Sequence, residues 1–106
     1  MKLNVIERLL LLGILPNEGS FTNLKIIRTA RESLSFDEKE NKVLKFDQKE
    51  NGQISWVPNA IEDKEINVGE IASELIKKEL KKLDKEEKLT NEHFSTYEKF
   101  IKPDSN

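Results

Sequence analysis

The segment from Asn4 to Pro16, NVIERLLLLGILP, constrains the fold more than any other part of this sequence. Its apolar residues lie on nearly every side of a helix, so that one neighbouring face cannot cover them all. Asn4 can cap the first turn, with Glu7 three residues later, and Gly13 followed by Pro16 ends the helix. We therefore expect a helix from Asn4 to about Leu12 that is buried by the rest of the domain or by a second copy of the protein.

A leucine-rich segment near the start of a chain can also be a targeting or membrane segment. Here Glu7 and Arg8 interrupt the apolar run, no small-residue cleavage site follows, and LLLLGIL is too short to span a bilayer. We therefore expect a buried helix and no membrane partner. Because the chain has no cysteine, no disulfide or thiolate site can form, and a reducing cytoplasm is the expected location.

The length and composition predict one compact domain. A chain of 106 residues suits a single hydrophobic core, and its apolar residues are grouped in periodic runs. We assign the domain to residues 1–102 and a mobile tail to residues 103–106. Lys and Arg total 18 against 20 Asp and Glu, with both signs interleaved. This balance lacks the basic footprint of a general nucleic-acid binder, so nucleic acid is not the expected partner.

Apolar periodicity and capping residues predict four further helices. The third is expected to end near Leu44 or Lys45, and the fourth carries the broadest apolar stripe. The predicted caps, each a polar residue ahead of an apolar stripe, are Thr22, Ser35, Asn67 and Thr90. At three of these starts, apolar residues flank the cap as in a hydrophobic staple. The predicted staple pairs are Phe21 with Ile26, Ile66 with Ile71, and Leu89 with Phe94.

The pattern changes between residues 45 and 68. QISWV is rich in strand formers, KEINV alternates polar and apolar residues, and Asn51 with Gly52 predicts a tight turn ahead of QISWV. The fold class that follows is α+β and mostly helical. It has about five helices, and a small antiparallel sheet of two or three strands is inserted before the fourth. Whether KEINV pairs with QISWV is left open by the sequence.

The stretch LKFDQKENGQISW resembles the EF-hand family over about one helix and loop. The resemblance implies a calcium ion held by a loop that starts at Asp47. The third loop position is Lys49 and the twelfth is Pro58, where the family has oxygen ligands. We therefore expect a hairpin turn, with no metal and no cofactor, and keep a degenerate EF-hand-like loop as a third hypothesis. The matching residues are Phe46, Asp47, Gly52 and Ile54.

The sequence contains no set of residues that predicts catalysis. His93, the one histidine, lies in the first turn of the predicted fifth helix, where we expect a solvent-facing or capping role. The sequence has no glycine-rich phosphate loop, nucleophile elbow or zinc-helix motif. We therefore expect that the protein is not an enzyme and has no catalytic residues.

Two binding functions remain. The leading hypothesis is binding of another protein, or self-association as in a homodimer, through the surplus apolar surface of the first helix and two aromatic residues. The alternative is nucleic-acid binding by a winged-helix-like domain that uses the second helix, although Glu32 closes its basic face. The candidate protein-interface residues are Leu9, Leu10, Leu11, Trp56 and Tyr97. The candidate nucleic-acid contacts are Lys25, Arg28 and Arg31.

The two ends of the chain have a recognisable general character. NVIERLLLLGILP stands at the front and KKLDKEEKLTNEHFSTYEKFI at the back of a sequence rich in Lys, Glu and Asn. In these features the chain resembles small uncharacterised proteins of tailed phages and prophages. The resemblance includes no motif tied to an activity. It implies only a setting, in which an accessory or regulatory factor acts on another protein in the bacterial cytoplasm.

Overall fold

The computed structural model describes residues 1–101, and these form a mostly helical α+β fold. The predicted fold is confirmed: the described residues contain five helices, and an antiparallel hairpin precedes the fourth of them. The predicted tail, residues 103–106, lies outside the described residues. A short 3₁₀ turn, Asn91–His93, leads into the last helix. The elements are β1 (Lys2–Leu3), α1 (Val5–Ile14), α2 (Phe21–Leu34), α3 (Glu38–Leu44), β2 (Asp47–Gln48), β3 (Ile54–Ser55), β4 (Lys64–Glu65), α4 (Glu70–Lys85) and α5 (Phe94–Ile101).

The strands form two separate antiparallel pairs. β2 pairs with β3 in the hairpin, whereas β4 pairs with β1, so that Leu3 stands opposite Lys64. The Ile66 N–H also donates to the Met1 carbonyl oxygen at 2.9 Å. The partner of KEINV is therefore the start of the chain rather than QISWV. A ladder of two residues per strand has too little alternation to reveal its partner in the sequence.

The described residues pack around one hydrophobic core to which α1, α2, α4 and α5 all contribute. α1 contacts α2, α4 and the 3₁₀ turn, so the rest of the domain covers this helix on several sides, as its composition requires. Its remaining side faces outward, because Leu9 and Leu10 are only half-buried. The buried core residues are Leu3, Leu11, Leu15, Ile27, Ala30, Leu34, Ile66, Ala72, Ile76, Leu80 and Phe100.

The helix starts are partly as predicted. Asn4 and Glu7 form the predicted capping box of α1, with the Glu7 N–H donating to Asn4 Oδ1 at 2.8 Å. Thr90 precedes the 3₁₀ turn as predicted. Three other caps lie two residues from their predicted positions. In α2 and α3 a neighbouring polar residue accepts the amide hydrogen bond instead of the predicted one. In α4 the cap is a glycine without a side-chain hydrogen bond, and Asn67 instead accepts the Gly69 N–H at 3.0 Å. The observed caps are Ser20, Asp37 and Gly69, where Thr22, Ser35 and Asn67 were predicted.

The predicted hydrophobic staples are wrong. Phe21 is 77% exposed, Phe94 is 68% exposed and Ile71 is 54% exposed, so each pair has one member that is mostly in solvent. With the cap of α2 at Ser20, Phe21 becomes the first helical residue and no longer precedes the cap. The staple pattern depends on the exact cap position, so a shift of two residues removes it at α2 and α4. Thr90 is not shifted, but it caps the 3₁₀ turn, and Phe94 follows that turn as the first residue of α5.

Arg8 joins α1 to the connection between α2 and α3. Its side chain is completely buried, and its guanidinium donates to both carboxylate oxygens of Glu40, at 2.7 and 3.0 Å. The same group donates to the carbonyl oxygens of Leu34, at 3.0 Å, and Ser35, at 2.6 Å. The guanidinium carbon lies 4.0 Å from the centroid of the Phe36 ring. A buried charge is tolerated only with such a full set of partners.

A second ion pair, between a buried carboxylate and a partly exposed lysine, holds the other side of α1. Glu7 is also buried, and its Oε1 accepts a hydrogen bond at 2.8 Å from Lys99 Nζ of α5. Lys99 donates as well to the Lys2 carbonyl oxygen of β1, at 2.8 Å. Burial raises the pKa of Glu7, but the hydrogen bonds from Lys99 and from the Asn4 amide outweigh it and leave the pKa below its usual value.

We expect Arg8→Ala to lower the free energy of unfolding by about 3–5 kcal/mol, because it leaves the Glu40 carboxylate without its charge partner. The measurement is urea unfolding followed by circular dichroism. The matched control is Arg28→Ala, which removes an exposed arginine from α2 and should change the free energy by about 0.5 kcal/mol or less. Equal effects of the two substitutions would contradict the structural role of Arg8.

Stability should also fall in acid. The hydrogen bonds from Arg8 hold the pKa of Glu40 at about 2, against a usual value of 4.5, although burial opposes them. The unfolded chain therefore binds a proton at higher pH than the folded chain does. The contribution of the ionised Glu40 to the free energy of unfolding is therefore complete above pH 4.5 and is lost as the pH falls toward about 2.

The test compares unfolding of the wild type and of Glu40→Gln over this pH range. Glu40→Gln should be less stable at neutral pH and should lose less stability in acid, with the remaining loss due to Glu7. Glu38→Gln, which changes an exposed neighbour, should follow the wild type. An unchanged acid slope in Glu40→Gln would show that this carboxylate is not responsible.

Candidate functional site

An open apolar groove lies between the outer face of α1 and the β2–β3 hairpin. Three adjoining cavities form it, of about 480, 480 and 390 Å³, and Ile54 lines all three. Ile6 is 40% exposed on the helix wall and Ile54 is 44% exposed on the hairpin wall. We call this feature the α1–hairpin groove. Its main apolar residues are Ile6, Leu9, Leu10, Leu12, Ile54 and Trp56.

A stack of aromatic rings supports the hairpin wall of the groove. The Trp56 ring lies 6.0 Å from that of Phe46, which packs edge to face against Phe36 at 5.0 Å between centroids. Phe36 in turn lies against the Arg8 guanidinium. These ring contacts connect the buried Arg8–Glu40 ion pair to the surface of the groove. The position of Trp56 is therefore coupled to the docking of α1.

The hairpin has the turn that its sequence predicts. The Lys49 N–H donates to the Gln53 carbonyl oxygen at 2.7 Å, and the Gly52 N–H donates to the Lys49 carbonyl oxygen at 3.0 Å. Gly52 has a φ of 86°, which favours glycine. The Asn51 side chain accepts the Gln53 N–H at 3.1 Å. At the exit of the hairpin, the Val57 N–H donates to the Leu44 carbonyl oxygen at 2.8 Å and ties the hairpin to the end of α3.

The structure brings together three of the five residues proposed for a protein interface. Leu9, Leu10 and Trp56 all line the α1–hairpin groove. The prediction for Leu11 is wrong, because this side chain is fully buried on the core side of α1. Tyr97 lies elsewhere, half-buried on α5, and its hydroxyl donates to Asp84 Oδ2 at 3.1 Å. Burial and the nearby Asp84 carboxylate raise the pKa of Tyr97.

Sequence reasoning missed Ile6 and Ile54 as groove residues. From the sequence, Ile6 is one of several residues that make the first helix apolar nearly all round. Ile54 belongs to the strand-forming segment QISWV and to the EF-hand resemblance, and neither residue is among the interface candidates. Ile6, Leu9 and Leu10 are spaced at positions i, i+3 and i+4, which places them on one helix face. This spacing indicates a second apolar stripe on α1, but only the position of the hairpin shows what faces it.

The three basic residues proposed to bind nucleic acid have different environments. Arg31 donates to the Leu12 carbonyl oxygen at 3.0 Å and to Asn17 Oδ1 at 3.3 Å, and so caps the end of α1. Lys25 Nζ lies 5.8 Å from the centroid of the Phe21 ring. Arg28 is exposed. The guanidinium of Arg31 is therefore occupied within the fold rather than presented beside Lys25 and Arg28.

The loop that resembles an EF-hand has an ammonium group at its first ligand. Lys49 Nζ lies 2.8 Å from Asp47 Oδ2, where a cation would be expected. Within residues 1–101, no group of three or more acidic or histidine side chains is placed to hold a metal ion. His93 has the predicted capping role, because its Nδ1 accepts the Thr90 N–H at 3.0 Å.

Comparisons with protein-family models, with curated proteins and with solved structures find no match for this chain. None of the helices in the described part of the chain combines the length and the apolar character that crossing a membrane requires.

The leucines of α1 provide a direct test of the groove. We expect Leu11→Ala to lower the free energy of unfolding by about 2–5 kcal/mol, because it leaves a cavity in the core. Leu9→Ala should cost about 1 kcal/mol or less, because Leu9 already faces solvent in part. Urea unfolding of the two variants and of the wild type measures both changes in free energy. If Leu9→Ala destabilised the protein as much as Leu11→Ala, Leu9 would belong to the core and the groove would be closed.

Proposed function

We propose that this chain is a small, non-enzymatic protein-binding module and that the α1–hairpin groove is its binding surface. The observation that carries the proposal is the exposure of Ile6 and Ile54 on facing walls of one open groove. Contiguous exposed apolar surface of this kind favours association with a partner, because binding removes it from water.

The construction of the groove also supports protein binding. Trp56 stands in its wall, and tryptophan is among the residues that contribute most to protein interfaces. The aromatic stack behind Trp56 restricts its motion before a partner arrives. A side chain that is already ordered loses less conformational entropy on binding.

The proposed setting is a tailed phage or prophage. In this setting the chain is an accessory or regulatory factor that acts on a host or phage protein in the bacterial cytoplasm. The support is the general resemblance of the sequence and the lack of cysteine. Nucleic-acid binding through Lys25, Arg28 and Arg31 has less support, because Arg31 is engaged at the end of α1.

Affinity capture from bacterial lysate tests the proposal. We expect the wild type to retain a protein that Leu9→Asp does not, because a carboxylate in the groove would have to be desolvated on binding. Leu24→Asp is the matched control, since Leu24 is 37% exposed on α2 and lies outside the groove. This variant should retain the same protein. Capture that is unaffected by Leu9→Asp would contradict the proposal.

Two further measurements separate the alternatives. Sedimentation velocity shows whether the chain self-associates, and whether Leu9→Asp abolishes that association. A titration with duplex DNA at several salt concentrations tests the alternative, because phosphate binding weakens steeply as salt rises. Salt-dependent DNA binding that survives Leu9→Asp would favour the nucleic-acid function.

A further inference from the structure

The outer edge of β3 has backbone groups that face away from its partner strand. Beside the turn, Lys49 lies opposite Gln53 and its N–H donates to the Gln53 carbonyl oxygen, so these two residues occupy a hydrogen-bonded position of the ladder. Hydrogen-bonded and non-hydrogen-bonded pairs alternate along an antiparallel ladder. The next pair, Gln48 opposite Ile54, is therefore non-hydrogen-bonded. The N–H and C=O groups of Ile54 accordingly point away from β2, and within residues 1–101 no other strand pairs with β3.

The α1–hairpin groove runs along this free edge. Its two larger cavities are both lined by the consecutive residues Ile54, Ser55 and Trp56. Successive side chains of a strand point to opposite faces, so a cavity that touches all three residues lies at the strand edge rather than on one face. The β2 residues Asp47 and Gln48 line neither of these two cavities, which places both cavities on the outer side of β3. The third and smallest cavity of the groove lies over the face of the hairpin, where Gln48 and Ile54 both line it.

The rim of the groove is acidic. Glu62 and Asp63 line one of the two larger cavities and Glu92 lines the other, and all three are exposed. None of them forms an ion pair within the described residues. Lys49, the cation among these lining residues, is already paired with Asp47. The rim therefore attracts a basic occupant.

The same charges argue against a second copy of this chain in the groove. A two-fold symmetric interface brings the same surface of both copies together. The acidic rims would then face each other, and like charges across an interface oppose association. A partner with an apolar and basic segment has no such penalty.

Building on the proposed function, we propose that the groove binds an extended, basic segment of a partner protein, which adds to β3 as a third strand. The backbone of the segment pairs with the outward N–H and C=O of Ile54. Its apolar side chains pack against Ile6 and Leu10 of α1, and its Lys or Arg residues lie beside Glu62 and Asp63. Strand addition of this kind takes affinity from backbone hydrogen bonds and specificity from the pockets for alternate side chains.

A random-peptide display library selected on the full chain tests this mode of binding. We expect peptides in which apolar residues alternate with other residues and that carry a surplus of Lys or Arg, and we expect Leu9→Asp to abolish their binding. Single N-methylation along such a peptide should weaken binding about fivefold or more at alternate positions. The positions between them should be unaffected, because only alternate amides face β3.

Two pairs of protein variants test the edge and the rim with the same peptides. Ile54→Pro and Ile54→Ala both replace the isoleucine side chain with a smaller one, but only Ile54→Pro removes the outward N–H. Ile54→Pro should therefore bind about fivefold more weakly than Ile54→Ala. Glu62→Gln with Asp63→Asn should weaken binding about fivefold at low salt. Glu18→Gln with Glu32→Gln makes the same change in net charge away from the groove and should have no effect.

The outcomes separate this inference from the proposed function. We call a selected peptide groove-dependent if it binds the wild type and fails to bind Leu9→Asp. If such peptides are acidic, helical or insensitive to N-methylation, a protein-binding groove is still supported but strand addition is overturned. A library without groove-dependent peptides would also overturn it, whereas lysate capture decides the proposed function independently. Self-association that is lost in Leu9→Asp would identify a second copy as the occupant. If Ile54→Pro disrupts the hairpin, seen as a change in Trp56 fluorescence, the N-methylated peptides still decide the result.

Discussion

Arg8 brings a full positive charge into the interior, and the elements around the groove are positioned by the groups that compensate for it. Glu40 from α3 neutralises the charge, and the carbonyl oxygens at the end of α2 satisfy further N–H groups. The Phe36 ring covers the guanidinium face. Since a buried arginine that lacks any of these partners is costly, α1, α2 and α3 have little freedom to dock in another way.

This constraint extends to the surface through the aromatic stack. Phe36 contacts Phe46, and Phe46 contacts Trp56, so the hairpin wall of the groove is supported from the ion pair outward. α1 then has two apolar faces with different roles. Leu11 belongs to the core, whereas Ile6 leaves apolar surface open to solvent, across the groove from Ile54 of β3. A helix that is apolar on nearly all sides is thereby explained by a core on one side and a proposed binding surface on the other.

Much of the fold was predictable, and less of the site. Helix periodicity, the α1 capping box and the turn at Gly52 depend on residues a few positions apart, and each appears in the structure. Leu9, Leu10 and Trp56, which residue type alone groups as interface candidates, line one groove in the structure. Leu11 was wrongly included among these candidates, because a run of four leucines contains both faces of the helix. The caps of α2, α3 and α4 were predicted two residues away from their true positions, because more than one residue near each helix start can serve as the N-cap.

The sequence by itself determined the helices, the hairpin and the mostly helical α+β class, because the period of apolar residues and the conformations allowed to Gly and Pro act locally. Tertiary structure alone decided that Glu7 and Arg8, which seemed only to interrupt an apolar run, are buried. Their partners Lys99 and Glu40 are remote in the chain, and a charge enters the core only where folding brings a partner to it. The same long-range packing set β1 beside β4 and Trp56 opposite α1, and so created the groove.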